Sequence, residues 1–494
     1  MLDTFDDLRA RLSDPDLLAT RAYLAGRWED AASGASFAVT NPANGARIAE
    51  VAHLDRSDVV RAVEAAGPAQ KAWAARTAKE RAQILRRWYD LIMAAQEDLA
   101  VILTAEQGKP LAEAKGEIAY GASFVEWFSE EAKRVYGEII PGHQPDKRIH
   151  VLRQPVGIAA AITPWNFPNA MITRKAAPAL AAGCAFLVRP AEQTPLSALA
   201  LGVLATRAGI PEGVLSILPS DLSNAPGIGQ EFCENPKIAK ITFTGSTEVG
   251  RILLRQSADT VKKATMELGG NAPFLVFDDA DLDAAVEGAI LCKLRNAGQT
   301  CVCANRIYVQ SGIHDAFADR LAERMGAMRV GDGMEEGTQI GPLIDDDAVA
   351  KVEAHLADAT EKGARVLTGG ARHGNGGTFF QPTVVADATR QMRFATEETF
   401  GPLAPLFRFE TEQEAIAMAN DTIFGLAAYF YANDLGRVTR VSEALEYGIV
   451  GVNTGIISTE AAPFGGVKQS GLGREGSRHG IEEYLEMKYV CLSV

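Results

Sequence analysis

From residue 156 to about residue 463, mostly apolar runs alternate with segments in which the apolar residues are spaced as on one face of a helix. Apolar strands of this kind are buried on both faces, which is typical of a parallel sheet covered by helices. We therefore predict an α/β fold with doubly wound, mostly parallel sheets. The run at 274–277 begins a second alternating region. The apolar runs cover residues 157–163, 185–188, 214–218, 240–244 and 274–277.

The first 136 residues follow another pattern. Short strands are predicted near residues 21–24, 37–40 and 47–51, with glycines between them as turn residues. Helical spacing then runs from Ser57 to Tyr136, and Gly-Lys-Pro at 108–110 interrupts it. We expect short strands followed by several helices.

Two segments alternate in the manner of edge strands. They are residues 137–154, rich in Gly, Pro and His, and the C-terminal residues 487–494. Edge strands pair readily with one another or with another subunit. We interpret them as an oligomerisation arm; the alternative is a surface hairpin and a frayed terminus.

Length, charge and cysteine content narrow the class of protein. A chain of 494 residues is expected to form two or three domains, and its net charge of -14 argues against binding to nucleic acid or anionic membranes. We find no signal-peptide pattern and no apolar run long enough to span a membrane. Six cysteines in so long a chain predict free thiols and a cytoplasmic location, and none has the spacing of a metal site.

Residues 295–303 (Arg-Asn-Ala-Gly-Gln-Thr-Cys-Val-Cys) are the most informative stretch. A helix is predicted before them and a strand after them, so Cys301 lies on a loop between two rigid elements. A thiol in that position can serve as a nucleophile. The alternative is an inert, buried cysteine.

Three further turns lie next to predicted strands. Residues 244–250 (TGSTEVG) lead into a predicted helix. Their backbone amides either bind an anion at the amino end of that helix or belong to a plain strand–helix turn. Glu267 precedes two glycines, and a carboxyl group there is either a general base of raised pKa or a structural ion-pair partner. Asn166, in 164–168 (PWNFP), either donates to an oxyanion or belongs to a tight aromatic turn.

Taken together, these motifs resemble the NAD(P)-dependent aldehyde dehydrogenase superfamily. Three further stretches look like the bacterial succinate-semialdehyde dehydrogenases. Those three are residues 170–175 (AMITRK), 295–306 (RNAGQTCVCANR) and 453–458 (NTGIIS). The superfamily motifs are 164–168 (PWNFP), 243–250 (FTGSTEVG), 266–271 (MELGGN), 298–301 (GQTC), 398–402 (ETFGP) and 463–466 (PFGG).

The resemblance implies catalytic roles for three residues. Cys301 matches the nucleophile that attacks the aldehyde carbon. Asn166 and the backbone amide of Cys301 match the oxyanion hole, and Glu267 matches the base that activates water to hydrolyse the thioester. The implied reaction is oxidation of succinate semialdehyde to succinate, or alternatively of glutarate semialdehyde or another short aldehyde acid.

The resemblance also implies that NAD or NADP is the cofactor. Arg189 stands where the family usually has a lysine near the adenosine ribose. A carboxylate at Glu192 would accept bonds from ribose hydroxyls and repel a 2′-phosphate, whereas Arg189 would attract one. We expect NAD to be used at least as well as NADP. The matching cofactor contacts are Thr163, Pro164, Trp165, Arg189, Glu192, Gly245, Ser246, Glu398 and Phe400.

Arg174, Arg295 and Ser458 match the positions that hold the distal carboxylate of the substrate; the alternative is that the arginines pair with acidic side chains. A retained Glu267 argues against acyl transfer to coenzyme A. No histidine lies in a motif that supports a cysteine hydrolase. Cys303 is expected either to pack in the interior or to form a reversible disulfide with Cys301.

The resemblance implies three parts and a homodimer or homotetramer. Residues 1–137 and 157–266 are expected to form a cofactor domain, and residues 267–463 a catalytic domain. Residues 138–156 and 464–494 are expected to form the β oligomerisation arm and the C-terminal tail.

Overall fold

The computed structural model describes residues 2–494 and contains four β-sheets. No helix among these residues combines the length and apolarity needed to cross a bilayer. The strands are β1 (Ala22–Leu24), β2 (Arg27–Glu29), β3 (Ser36–Thr40), β4 (Arg47–Ala52), β5 (Glu138–Ile140), β6 (Lys147–Pro155), β7 (Ile158–Ile162), β8 (Ala185–Arg189), β9 (Leu215–Ile217), β10 (Ile238–Thr244), β11 (Lys263–Glu267), β12 (Ala272–Val276), β13 (Ala304–Gln310), β14 (Arg365–Thr368), β15 (Thr383–Ala386), β16 (Leu403–Phe409), β17 (Ala427–Tyr431), β18 (Ile449–Val452), β19 (Gly471–Leu472) and β20 (Leu485–Ser493). The α-helices are α1 (Phe5–Ala10), α2 (Arg56–Ala74), α3 (Ala78–Ala94), α4 (Gln96–Gln107), α5 (Leu111–Glu131), α6 (Ala170–Ala182), α7 (Pro195–Ala208), α8 (Ala225–Glu234), α9 (Thr247–Ser257), α10 (Leu282–Leu294), α11 (His314–Gly326), α12 (Asp346–Glu361), α13 (Glu412–Asn420) and α14 (Leu435–Ala444).

The first large sheet has eight strands in the order β19-β11-β10-β7-β8-β9-β1-β2. Its central five strands are parallel, and antiparallel strands lie at both ends. β7 and β8 consist almost wholly of buried apolar residues, because helices cover the sheet on both faces. This arrangement confirms the predicted doubly wound sheet.

The second large sheet has seven strands in the order β14-β15-β16-β13-β12-β17-β18. All neighbouring pairs are parallel except β14 with β15. It has its own apolar core, in which Phe274, Phe407 and Phe430 are buried. The second alternating region of the sequence therefore forms a second doubly wound sheet, as predicted.

The chain passes directly from the first sheet to the second. β11 ends at Glu267 and β12 begins at Ala272. The link joins the carboxyl end of a strand in one sheet to the amino end of a strand in the other. A ligand cleft between the sheets is consequently lined by carboxyl ends on one side, where ligands commonly bind in such sheets, and by amino ends on the other.

The third sheet is formed by the two segments that were predicted to be edge strands, with the strand order β20-β6-β5. β20 pairs antiparallel with β6 along its whole length, so the two edge segments do pair with each other. Apolar side chains on this sheet remain exposed: Ile139 is 83% exposed, Met487 65% and Tyr489 60%. β19, which lies in the segment assigned to the arm and tail, pairs instead with β11 of the first large sheet.

Two helix boundaries differ from those that periodicity predicted. α2 begins at Arg56 rather than Ser57, because the Asp55 side chain accepts the backbone N–H groups of Ser57 and Asp58. The helix predicted to reach Tyr136 ends at Glu131 and is followed by a short 3₁₀ turn.

Candidate active site

Asn166, Glu267 and Cys301 line one cavity of about 360 Å³ between the two large sheets. Asn166 lies in the turn after β7, Glu267 is the last residue of β11, and Cys301 precedes β13. Asn166 and Glu267 are buried, whereas Cys301 is half-buried. The fold thus brings together three residues that are far apart in the sequence.

The loop that carries Cys301 has an unusual backbone. Asn296, Ala297 and Gly298 have φ values of 53°, 54° and 80°. A side chain at Gly298 would place its Cβ 2.2 Å from the carbonyl oxygen of Gly401. Such conformations persist only where surrounding contacts impose them, and they concentrate at functional sites.

Hydrogen bonds within this loop and to Glu113 and Ile344 hold it in place. The Glu113 carboxylate accepts the backbone N–H of Asn296 at 2.9 Å. The Gln299 side chain accepts the N–H of Ile344 at 2.9 Å and donates to the carbonyl of Asn296 at 3.1 Å. The position of Cys301 is therefore fixed by buried contacts rather than by the loop alone.

Asn166 is joined to the cysteine loop by two hydrogen bonds. Its Nδ2 donates to the carbonyl of Gln299 at 3.1 Å, and its own carbonyl accepts from Nδ2 of Asn296 at 3.0 Å. An amide nitrogen has two protons. One is engaged here, so the other remains able to donate to a developing oxyanion.

Burial dominates the electrostatics of the thiol. It raises the pKa of Cys301 to about 12; the Arg174 charge lowers this pKa, and the carboxylates of Glu398 and Glu267 raise it further. A thiol with this pKa is almost wholly protonated at pH 7. A base or an additional positive charge must therefore accompany its reaction as a nucleophile.

Glu267 has the environment of a general base. Both carboxylate oxygens are buried and have no hydrogen-bond partner among the described residues. Burial, reinforced by repulsion from Glu475, raises the pKa of Glu267 well above its usual value, against the opposing charges of Arg174 and Lys175. Because its pKa is raised, this carboxyl group binds a proton more tightly than an exposed glutamate does, which suits a general base.

Sequence reasoning did not identify Glu475. This buried carboxylate contacts both Arg174 and Lys175, which are themselves buried. Its pKa is lowered because these cations outweigh its burial. The available signal was a glutamate inside the glycine-rich segment 471–476 (GLGREG), which resembles the setting of Glu267.

The two arginines predicted to bind the substrate differ in their partners. Arg174 pairs with Glu475 and lies over the ring of Phe464 at 4.5 Å. Its Nη2 is nevertheless buried without a hydrogen-bond partner among the described residues. The pairing with an acidic side chain therefore occurs for Arg174 but leaves part of its guanidinium group unengaged.

Arg295 forms no ion pair with any described residue. Its guanidinium carbon lies 4.7 Å from the ring centre of Phe167 and 5.9 Å from that of Tyr120. The hydroxyl of Tyr120 is buried without a partner among residues 2–494. Ser458 is half-buried in the loop that leads from β18 to Phe464, the residue on which Arg174 stacks.

A second cavity, of about 440 Å³, continues the cleft along the first sheet. Both cavities are lined by Pro164, Trp165, Thr244 and Gly245. A continuous cleft of this form suits an extended dinucleotide. Thr163, Arg189 and Glu192 line the second cavity, and Ser246, Glu398 and Phe400 line the first.

Several features fit a dinucleotide with its phosphates near α9. Ser246 caps this helix, whose amino end favours an anion. A Cβ at Gly245 would lie 2.4 Å from the ring of Phe243, so any other residue at this position would have to displace that ring. The hydroxyl groups of Thr163 and Thr244 are buried and lack partners among the described residues, leaving polar groups for a ligand.

Arg189 and Glu192 interact with each other. Nη2 of Arg189 donates to the Glu192 carboxylate at 2.8 Å, and its Nε donates to the Ser220 hydroxyl at 3.0 Å. The guanidinium group is thus engaged inside the protein. A 2′-phosphate would have to compete with the carboxylate of Glu192 for it.

Glu398 and Phe400 form the opposite wall. Oε1 of Glu398 accepts the backbone N–H of Gly270 at 3.2 Å, and burial raises its pKa to about 7. Phe400 has a φ of 58°, and its ring meets that of Trp165 edge to face at 5.6 Å. The two walls therefore contact each other at the junction of the cavities.

Cys303 is buried and does not line the cavity that Cys301 lines. Its thiol donates to the carbonyl of Gly298 at 3.2 Å, and Nζ of Lys293 lies 3.9 Å from its sulfur. These contacts account for a packing role. The disulfide with Cys301 stays a prediction.

The raised pKa of Cys301 predicts the pH dependence of its alkylation. In the protein without cofactor, the iodoacetamide reaction should accelerate about tenfold per pH unit from pH 6 to 9, because the thiolate fraction grows by that factor below the pKa. Mass spectrometry of the Cys301 peptide, measured in a Cys303→Ser background, gives the rate. A plateau below pH 8 would show that the thiolate is already stabilised.

Comparison with known proteins adds to this geometry. The sequence model described as "Aldehyde dehydrogenase family" matches residues 28–490. The chain is 60% identical to succinate-semialdehyde dehydrogenase [NADP(+)] GabD of Escherichia coli K12, over 98% of this chain and 100% of that protein. It is 61% identical to a glutarate-semialdehyde dehydrogenase of Pseudomonas aeruginosa, over 98% and 99%. A crystal structure of an E. coli NADP-dependent enzyme superimposes with a TM-score of 0.96 at 61% identity, covering 98% of this chain and 100% of that one.

Proposed function

This chain belongs to the aldehyde dehydrogenase family, and we propose that it oxidises succinate semialdehyde to succinate with NAD or NADP. The observation that carries the proposal is that Cys301 and Glu267 line one cavity and that the charge of the buried, partly unengaged Arg174 acts on both of them. Glutarate semialdehyde is the alternative substrate, because a relative of nearly equal identity is named for it. Both substrates carry an aldehyde at one end and a carboxylate at the other.

The sulfur of Cys301 attacks the carbonyl carbon of the aldehyde. The oxygen that becomes negative receives hydrogen bonds from Nδ2 of Asn166 and from the backbone N–H of Cys301. Preorganised donors of this kind stabilise charge that appears only in the transition state. The dinucleotide, when bound in the cleft, supplies the hydride acceptor. Oxidation leaves a thioester on Cys301.

Glu267 removes a proton from the water that hydrolyses the thioester. Its two unpartnered carboxylate oxygens support this role, as does its raised pKa. The ionised form increases as the pH rises through that pKa, so hydrolysis should accelerate over the same range. A base in this place favours hydrolysis over transfer of the acyl group to coenzyme A.

Glu267→Gln tests the division into two steps. The variant should release one reduced cofactor per active site rapidly, because acylation remains, and then turn over about 10²–10⁴-fold more slowly than wild type. Stopped-flow measurement of reduced cofactor gives both phases. Cys301→Ser is the control and should give no burst. Wild-type steady-state turnover by Glu267→Gln would contradict the proposed role.

Arg174, Arg295 and Ser458 hold the distal carboxylate of the substrate. Nη2 of Arg174 has no hydrogen-bond partner in the described part of the chain, and Arg295 packs against the ring of Phe167, so both guanidinium groups are able to bind the substrate carboxylate. Charge-assisted hydrogen bonds contribute about 1.5–3 kcal/mol each. A plain aldehyde makes none of these bonds, so the site discriminates by the far end of the molecule.

Arg295→Leu should raise the KM for succinate semialdehyde by about tenfold to hundredfold, and that for butanal far less, because a tenfold change corresponds to about 1.4 kcal/mol. Kinetics on succinate semialdehyde, glutarate semialdehyde and butanal measure the difference. Arg207→Leu, at an exposed arginine of α7, serves as the control. Equal effects on acidic and neutral aldehydes would remove the carboxylate role.

Glu192 is proposed to favour NAD. Its carboxylate would bind the ribose hydroxyls, and its hold on Arg189 weakens the attraction for a 2′-phosphate. We therefore keep the expectation that NAD is used at least as well as NADP, although the E. coli relative is named for NADP.

Glu192→Gln should shift the ratio of kcat/KM for NADP to that for NAD upward by at least about tenfold, since one like-charge repulsion is removed and Arg189 is released. Glu212→Gln, at a surface carboxylate of the same sheet region, is the matched control. An unchanged ratio, or a strong NADP preference in wild type, would contradict this account.

We propose that the arm formed by β5, β6 and β20 joins subunits into a homodimer or homotetramer. The exposed Ile139, Met487 and Tyr489 give this sheet an apolar surface that suits a protein partner. We propose the division into cofactor domain, catalytic domain and arm because the chain belongs to the aldehyde dehydrogenase family. A reducing compartment such as the cytoplasm is proposed because the nucleophilic thiol must stay reduced.

A further inference from the structure

A buried ion pair lies directly behind the turn that carries Asn166. Lys109 follows α4 in the turn that leads to α5, and its side chain is buried. Its Nζ donates to Oε2 of Glu117 at 2.5 Å and to the backbone carbonyl of Asn166 at 2.8 Å. The same nitrogen lies 3.8 Å from the ring centre of Phe167. Three contacts of one ammonium group thus converge on Glu117 and on two consecutive residues of the turn.

Glu117 ties the other end of the same turn. Its Oε1 accepts the backbone N–H of Asn169 at 2.9 Å and that of Ala170 at 3.3 Å, at the start of α6. The carboxylate therefore joins Lys109 to the helix that follows the turn. Residues 166–170 are held at both ends by one pair of charges.

The approach of Lys109 is itself fixed by the backbone. Gly108 has a φ of 91°, and a Cβ there would lie 2.6 Å from the Pro342 side chain. The backbone N–H of Lys109 donates to the side chain of Gln107 at 3.0 Å. The backbone of Lys109 is thus fixed by a rigid turn, and its ammonium group is less free to move than that of a surface lysine.

The direction of these bonds is informative. Removing two charges from water is costly, and a buried ion pair is weak evidence for stability by itself. Here the other hydrogen bonds of Lys109 and Glu117 go to the backbone of residues 166–170, which orients Nδ2 of Asn166. Misplacing such a donor by about 1 Å can reduce the rate about a hundredfold, so a rigid support has a direct catalytic consequence.

We propose that Lys109 and Glu117 are positioning residues that hold the side-chain amide of Asn166 where the oxyanion forms. The proposal rests on the proposed function, since it assumes that Asn166 donates to that oxyanion. Neither residue contacts the reacting atoms in this account. Both act through the backbone of residues 166–170.

A double-mutant cycle with Lys109→Met and Asn166→Ala tests this route. Asn166→Ala should lower kcat by about 10²–10³-fold, as loss of one oxyanion donor does. Lys109→Met should lower kcat by about 10–100-fold, with the KM for NAD changed less than about threefold. In the Asn166→Ala background, Lys109→Met should lower kcat less than about threefold further, because the group it positions is gone.

Different results would contradict the oxyanion role of Asn166 and the positioning role of Lys109. A normal kcat for Asn166→Ala would overturn the oxyanion role and with it the proposed mechanism. A full effect of Lys109→Met in both backgrounds, or no effect in either, would overturn only the positioning role.

Glu106→Gln is the matched control for the loss of a buried carboxylate. Glu106 is buried and accepts the backbone N–H groups of Leu196 and Ser197, at the start of α7, as Glu117 does at α6. It should lower Tm without a loss in kcat, whereas Glu117→Gln should lower both. If Lys109→Met fails to fold, Lys109→Met/Glu117→Gln removes both charges and keeps an acceptor for the turn. The same cycle with that double variant then decides the question.

Discussion

The hydrogen bonds between the Asn166 turn and the Cys301 loop are the constraint on which the rest of the site depends. Nδ2 of Asn166 donates to the carbonyl of Gln299, and Nδ2 of Asn296 donates to the carbonyl of Asn166. The turn belongs to the first large sheet and the loop to the second. These two bonds therefore set the distance between the proposed nucleophile, Cys301, and the proposed oxyanion donor, Asn166, which come from different sheets.

The site also balances several buried charges at close range. Arg174 and Lys175 face Glu475, which lowers the pKa of that carboxylate, while Glu267 remains unpaired and has a raised pKa. One carboxylate thus stays ionised as a structural partner and the other is free to exchange a proton. The same balance leaves part of the Arg174 guanidinium group for an anionic substrate. In the proposed mechanism, catalysis and substrate choice consequently depend on one electrostatic cluster.

The sequence predicted both large sheets and the two edge segments of the third sheet, because long apolar runs and local turn residues carry that information over short distances. The motifs around Asn166, Glu267 and Cys301 predicted residues that the fold brings into one cavity. Glu475 and Lys109 escaped notice because their partners are remote: Lys175 and Glu475 are separated by 300 positions, and Lys109 and Asn166 by 57. The bond between Arg189 and Glu192 was missed for another reason. Both residues were identified, but only the structure gives the orientation of their side chains.

A crystal structure of the Glu267→Gln variant, frozen after reaction with succinate semialdehyde and NAD, tests the central claim most directly. The account predicts a thioester on the sulfur of Cys301, with its carbonyl oxygen about 3 Å from Nδ2 of Asn166. It also predicts the distal carboxylate within about 3 Å of the guanidinium groups of Arg174 and Arg295. An acyl group on another residue, or a carboxylate that lies away from both arginines, would contradict it.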